Sequence, residues 1–212
     1  MMVFIVVALV SMLLAVVLPT CYARAKRSAE ASLIGRNEPQ QAVAVRPVLS
    51  ALLLCGGVLP SWYMTANLPF TLFVLLLAMT AYVDWMTTWV PDLLIFAMPW
   101  VVLTGGLTMH SVPFLLVGGA AMLVPALILN GISVIRGQSP ALASGDLYVL
   151  PAIGIWLTPE SAVLCFFISL FLSIPIGRYR QGVPFITVIY PVFMVFSLCG
   201  VHFSWFLRLP AF

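Results

Sequence analysis

Charge is what this sequence lacks most. Only 7% of its 212 residues are charged, and 63% are hydrophobic, whereas a soluble domain carries roughly 25% charged and ~45–50% apolar residues. The mean hydropathy is +1.17. So little polar surface cannot cover a water-exposed globule, so the composition implies an integral membrane protein with several helical spans. The expected fold class is all-α and polytopic, one membrane-embedded domain over residues 1–212 with no room for a large soluble domain. The net charge of +3 carries no signature of a nucleic-acid partner, and none is expected. Cysteine is scarce too. Cys21, Cys55, Cys165 and Cys199 form no CxxC pair, which excludes a zinc ribbon and a dithiol redox motif. The two histidines, His110 and His202, form no HExxH, which excludes a helix-borne zinc protease site. No metal is expected.

What is present is a series of apolar runs. Met2 to Leu18 lacks a basic n-region and a small-residue cleavage site, and reads as a retained helix rather than a signal peptide. The 20–47 stretch follows as a basic loop, with Arg24, Lys26, Arg27, Arg36 and Arg46 against Glu30 and Glu38. The positive-inside rule places it in the cytoplasm, where it also meets anionic lipid. Further runs cover 47–60, 68–83, 93–109, 112–134, 147–157, 161–176 and 184–207. About eight spans result, with both termini outside, and eight of the nine basic residues then face the cytoplasm. The runs at 47–60 and 147–157 fall short of the ~20 residues a full crossing needs. Trp62, Trp156 and Trp205 read as interface anchors, and Gly105-Gly106 and Gly118-Gly119 as sites of close helix packing.

Against this background the carboxylates stand out. The chain has three aspartates, Asp84, Asp92 and Asp146, all at the predicted cytoplasmic face. A carboxylate at a membrane helix centre costs roughly 2.5–3.5 kcal/mol. Asp84 and Asp146 each end or begin a helix at the same face. Two neighbouring carboxylates share a proton near neutral pH. The ionised member then takes a proton from water while the protonated one polarises a scissile carbonyl. Helix ends also suit capping aspartates, and intramembrane carboxylates serve ion relays. The residues alone leave catalysis, capping and transport open for Asp84 and Asp146. Capping suits Asp92 best, between Pro91 and Leu93.

Asp84-Trp-Met-Thr-Thr-Trp-Val-Pro91-Asp92 resembles the Asp-x6-Pro-Asp motif of the type IV prepilin peptidases. Ala143-Ser144-Gly145-Asp146 resembles the Gly-x-Gly-Asp motif of the same family of membrane aspartyl proteases. A helical hairpin separates the two motifs, and the resemblance covers roughly residues 1 to 180. It implies that Asp84 and Asp146 are the catalytic pair, at the cytoplasmic membrane boundary. Asp92, Pro91, Ser144 and Gly145 would be supporting or substrate-binding residues, Gly145 by letting the backbone pack or approach substrate closely. The implied substrate is a prepilin or pseudopilin, cut after a short basic leader at the bacterial inner membrane with no cofactor. The chain departs from the family in several places. Ala143 replaces the first glycine, and Leu147-Tyr148-Val149 stands where many relatives carry a lysine. The first loop holds Cys21 alone where bacterial relatives often carry paired CxxC motifs, and no glycine-rich segment suggests an S-adenosylmethionine site. The expectation is a peptidase without N-methylation.

Other classes fit less well. Ser144-Gly145 suggests an intramembrane serine protease, but Leu142 occupies the expected glycine position and both histidines fall on the opposite face. An ion-coupled transporter would carry inverted repeats, and none is evident. A non-enzymatic pilus or secretion subunit would use the aspartates only as helix caps.

Overall fold

The computed structural model describes the backbone of residues 2–32, 46–88, 90–109, 111–179 and 183–206. Among these residues every regular element is a helix: α1 (Met2–Ser32), α2 (Pro47–Thr65), α3 (Leu68–Thr87), α4 (Asp92–Met109), α5 (Val112–Ile135), α6 (Ser144–Gly154), α7 (Pro159–Tyr179) and α8 (Phe185–Phe206). They follow the eight apolar runs in order. Five are long and apolar enough to cross a membrane: Phe4–Ala23 of α1, α2, α3, α5, and Pro159–Arg178 of α7. The sequence readings of Trp89, His110, Arg180 and Arg208, and of the His202 and Trp205 side chains, lie outside the described residues.

Two boundaries differ from expectation. The 20–47 stretch opens as helix, because α1 continues to Ser32. Residues 23–32 are mostly Ala, Arg, Lys, Glu and Ser with no Gly or Pro, and most of these favour helix strongly. The remainder of that loop, 33–45, lies outside the described residues. The run expected to stop at Pro60 continues to Thr65, giving α2 19 residues. In the turn around the proline, the Ser61 hydroxyl donates to the carbonyls of Gly57 (2.8 Å) and Val58 (3.0 Å). The helix ends at Ala66, which takes the left-handed conformation at φ 48°. The short run near 147–157 stays short. With 11 residues, α6 reaches ~16 Å at 1.5 Å per residue, about half a hydrocarbon core.

The central element is α3. Of its apolar span 61% is buried, against 22–28% for the other four long helices. Past its first turn α3 has no proline, whereas each of the other helices has one inside. It packs against α2, α4 and α8. Phe70 and Phe73 on α3 meet Phe193 on α8 and Trp156 after α6, with ring centroids 5.2–6.2 Å apart. Trp156 therefore belongs to this aromatic cluster rather than standing as a free interface anchor. Tyr190 ties α8 to α2 through a 2.7 Å bond from its hydroxyl to the Leu53 carbonyl, across space that a side chain at Gly57 would fill. Ser11 and Ser50 link α1 to α2 by two 3.0 Å bonds.

A close crossing of α5 and α6 holds α6 in place. A Cβ on Gly118 of α5 would lie 2.6 Å from the Gly154 carbonyl oxygen. One on Gly154 would collide with the Gly118 carbonyl and lie 2.8 Å from Met122 Cβ. Both obstacles at Gly154 sit on α5 and do not rotate away. Gly154→Ala is expected to lower stability by at least about 2 kcal/mol through overpacking, read as a fall in melting temperature in detergent. Gly56→Ala, with nothing within 4 Å of the new Cβ, is the control. It should be neutral or gain up to about 1 kcal/mol of helix propensity.

Candidate active site

Four helix ends meet around one cleft of about 560 Å³, lined by residues of 84–96 and 143–148 and by Val183. Asp84 is in the last turn of α3, Asp92 is the first residue of α4, and Asp146 lies in the first turn of α6. All three carboxylates line the cleft. Asp84 and Asp146 are only 3% and 5% exposed, whereas Asp92 is exposed at the rim. No lysine or arginine is among the described residues lining the cleft.

Local structure accounts for each position. The chain leaves α3 at Thr88, whose N–H bonds the Asp84 carbonyl at 2.8 Å with φ 52°. That left-handed conformation is costly for a β-branched residue. The Pro91 carbonyl accepts the first bonds of α4, from Leu94 (2.9 Å) and Ile95 (3.2 Å). Pro91 thus leads into α4, and it is not among the residues lining the cleft. Asp92 falls inside the helix, where a carboxylate in the first turn suits the positive end of the helix dipole.

Asp146 is presented by a pinned loop. Asn130 on α5 donates from Nδ2 to the Leu142 carbonyl (3.0 Å) and accepts from the Leu142 N–H at Oδ1 (2.8 Å). This two-point grip fixes the backbone four residues before Asp146, and the Leu142 side chain is buried beside it. Ser144 and Gly145 line the cleft. A Cβ at Gly145 would make ordinary contact with Val90 at 3.6 Å, so space alone does not require glycine there. Tyr148 also lines the cleft and is 65% exposed.

Asp146 stands outside the five helices long enough to cross a membrane. Its carboxyl is pushed from 3.8 up to about 7, first by burial and then by the Asp84 charge, with a backbone hydrogen bond at Ala143 pulling the other way. The two carboxyls are therefore electrostatically coupled.

The sequence did not reveal Thr187. Its N–H donates to Asp84 Oδ2 at 3.1 Å, and its hydroxyl donates to the Ala81 carbonyl at 2.6 Å. One signal was available: Val183-Pro184 precedes α8 with no Ser, Thr, Asp or Asn to cap it, and α8 has no acid in its first turn.

The model of the type IV leader peptidase family matches residues 71–178, just over half of the chain. The chain belongs to that family. The matched segment runs from the first turn of α3 to the end of α7 and contains both aspartate motifs. As a leader peptidase family member, the protein is a peptidase by descent, and its apolar helices suit a multi-pass membrane enzyme. Comparisons with curated proteins and with solved structures find no match.

Proposed function

We propose that this leader peptidase family member is an aspartic endopeptidase that removes the short basic leader of a type IV prepilin or pseudopilin, with Asp84 and Asp146 as the catalytic pair. The observation that carries this reading is the burial of two coupled carboxyls against a single cleft in a chain almost free of charge. Asp146, with its carboxyl raised to about 7, holds the shared proton and directs it at the scissile carbonyl oxygen. Asp84 takes a proton from the attacking water, whose oxygen bonds to the carbonyl carbon. Collapse of the tetrahedral species breaks the C–N bond, and the departing amine takes up a proton.

Asp92 at the exposed rim adds negative charge where a basic leader would approach. Ser144 and Gly145 offer polar backbone beside Asp146, while Ile95, Phe96, Tyr148 and Val183 give an apolar wall for the substrate's hydrophobic segment. The cleft faces the cytoplasm of a bacterial inner membrane in this reading. In support, Arg46, Arg136 and Arg178 are all exposed, at the start of α2 and the ends of α5 and α7. In an up-and-down helix order these ends lie on the side of the cleft. The departures at the first loop and the absence of a glycine-rich cofactor segment favour cleavage without N-methylation.

The test is mass spectrometry of a prepilin incubated with the purified protein in detergent. A new N-terminus just after the basic leader, without added methyl mass, is the expected product. Because detergent supports no ion gradient, cleavage there also separates a peptidase from a transporter. Recovery of intact prepilin alone would defeat the proposal.

A further inference from the structure

We propose that Thr187 is the positioning residue for the Asp84 carboxylate, which it holds from across the bundle at the amino end of α8. This rests on the catalytic reading of Asp84 and concerns a residue outside the family-matched segment.

Helices leave their first backbone N–H groups without partners inside the helix. The third residue of α8, Thr187, has such a group, and nothing in the preceding Val183-Pro184 supplies a side-chain acceptor. Asp84 fills that role from 103 residues away, accepting the Thr187 N–H at Oδ2 (3.1 Å). In effect, α3 caps α8. The bond also constrains Asp84, because the carboxylate cannot rotate without giving up the Thr187 N–H, a part-buried donor.

The Thr187 hydroxyl lies 2.6 Å from the Ala81 carbonyl and 3.4 Å from Asp84 Oδ2. A hydroxyl has one proton to give, and the shorter contact takes it. Ala81 lies one helical turn before Asp84 on the same helix. The hydroxyl therefore fastens the first turn of α8 to α3 one turn before Asp84, which sets the distance from which the N–H reaches the carboxylate. Phe185 and Ile186, which precede Thr187 in this turn, are buried at 1% and 0% exposure, and Phe185 packs on Phe166 of α7 with centroids 5.9 Å apart. The turn is thus a fixed support, suited to orienting a catalytic group.

Thr187→Val keeps the shape and the backbone N–H but removes the fastening hydroxyl, and Thr187→Ser keeps the hydroxyl. The experiment measures prepilin cleavage by the full-length protein in detergent, per mole of folded enzyme, for both variants and Asp84→Asn. The expected result for valine is a kcat about tenfold lower with KM within about twofold of wild type, and serine should restore kcat. Wild-type kcat in the valine variant, with Asp84→Asn inactive, overturns the positioning role and leaves the dyad standing. A valine variant that yields less folded protein at unchanged kcat also overturns it, since the role is then structural. Cleavage by Asp84→Asn at wild-type rate overturns the catalytic reading itself.

Discussion

Asp84→Asn and Asp146→Asn are each expected to reduce prepilin cleavage by on the order of 10³-fold or more, while the protein still inserts and folds. Asparagine matches the size of the carboxyl but can neither take a proton from water nor deliver one to a carbonyl. The proposed reaction needs both acts in one turnover, so either substitution alone removes the mechanism. The double variant should lose little more than either single one, as expected of groups that act as a unit. Asp92→Asn separates the roles within the first motif. Asp92 is exposed at the rim and the other two aspartates are buried, so its loss should raise KM for a basic leader far more than it lowers kcat. The measurement is steady-state cleavage of a purified prepilin, with melting temperature as the check on folding. Substantial turnover by either buried-aspartate variant would sink the dyad assignment.

How much of this was readable beforehand depended on how each residue acts. The helices were legible because apolar runs in so uncharged a chain have no other use. Their ends were less so: Pro60 looked like a stop but lies within α2, and the polar residues after Ala23 looked like loop although most of them favour helix. Asp84 and Asp146 were visible because a carboxylate in an apolar chain needs a reason. Asn130 went unread, because its role is to grip the Leu142 backbone, which no spacing rule encodes. Thr187 was hidden more deeply, since it acts through its N–H, a group every non-proline residue has, on a partner 103 positions away.

A common physical principle ties the visible and hidden parts together. Asp92 and Asp146 sit in the first turns of α4 and α6, and Asp84 accepts from the first turn of α8. Each carboxylate in the cleft is thus set against a helix amino terminus, where unpaired N–H groups and the positive end of the dipole favour negative charge. With no lysine or arginine among the described lining residues, these termini offset part of the cost of gathering three acids in an apolar protein. They do so without neutralising them as an ion pair would, which leaves the proton of the pair available for chemistry.

That arrangement predicts how stability varies with pH. The Asp146 carboxyl is raised from 3.8 to about 7, mainly by burial and secondarily by Asp84, so the folded protein holds this proton more tightly than the unfolded chain does. The sign follows from proton counting: between pH 3.8 and about 7 the folded state binds more protons, so stability falls as pH rises through that window and levels off above it. At 1.36 kcal/mol per unit the full decline reaches about 4 kcal/mol. Asp146→Asn stays neutral throughout and escapes it. The variant should therefore melt at nearly the wild-type temperature near pH 4 and well above it at pH 8, a gain of stability paired with the loss of activity. Asp84→Asn removes only the smaller cause and should leave most of the decline in place. In the wild type, cleavage should fall as pH rises past about 7, where Asp146 gives up its proton. Melting curves of the three proteins in detergent at pH 4, 6 and 8 test the assignment. Parallel pH dependence in wild type and Asp146→Asn would show that Asp146 is not the group that holds the proton.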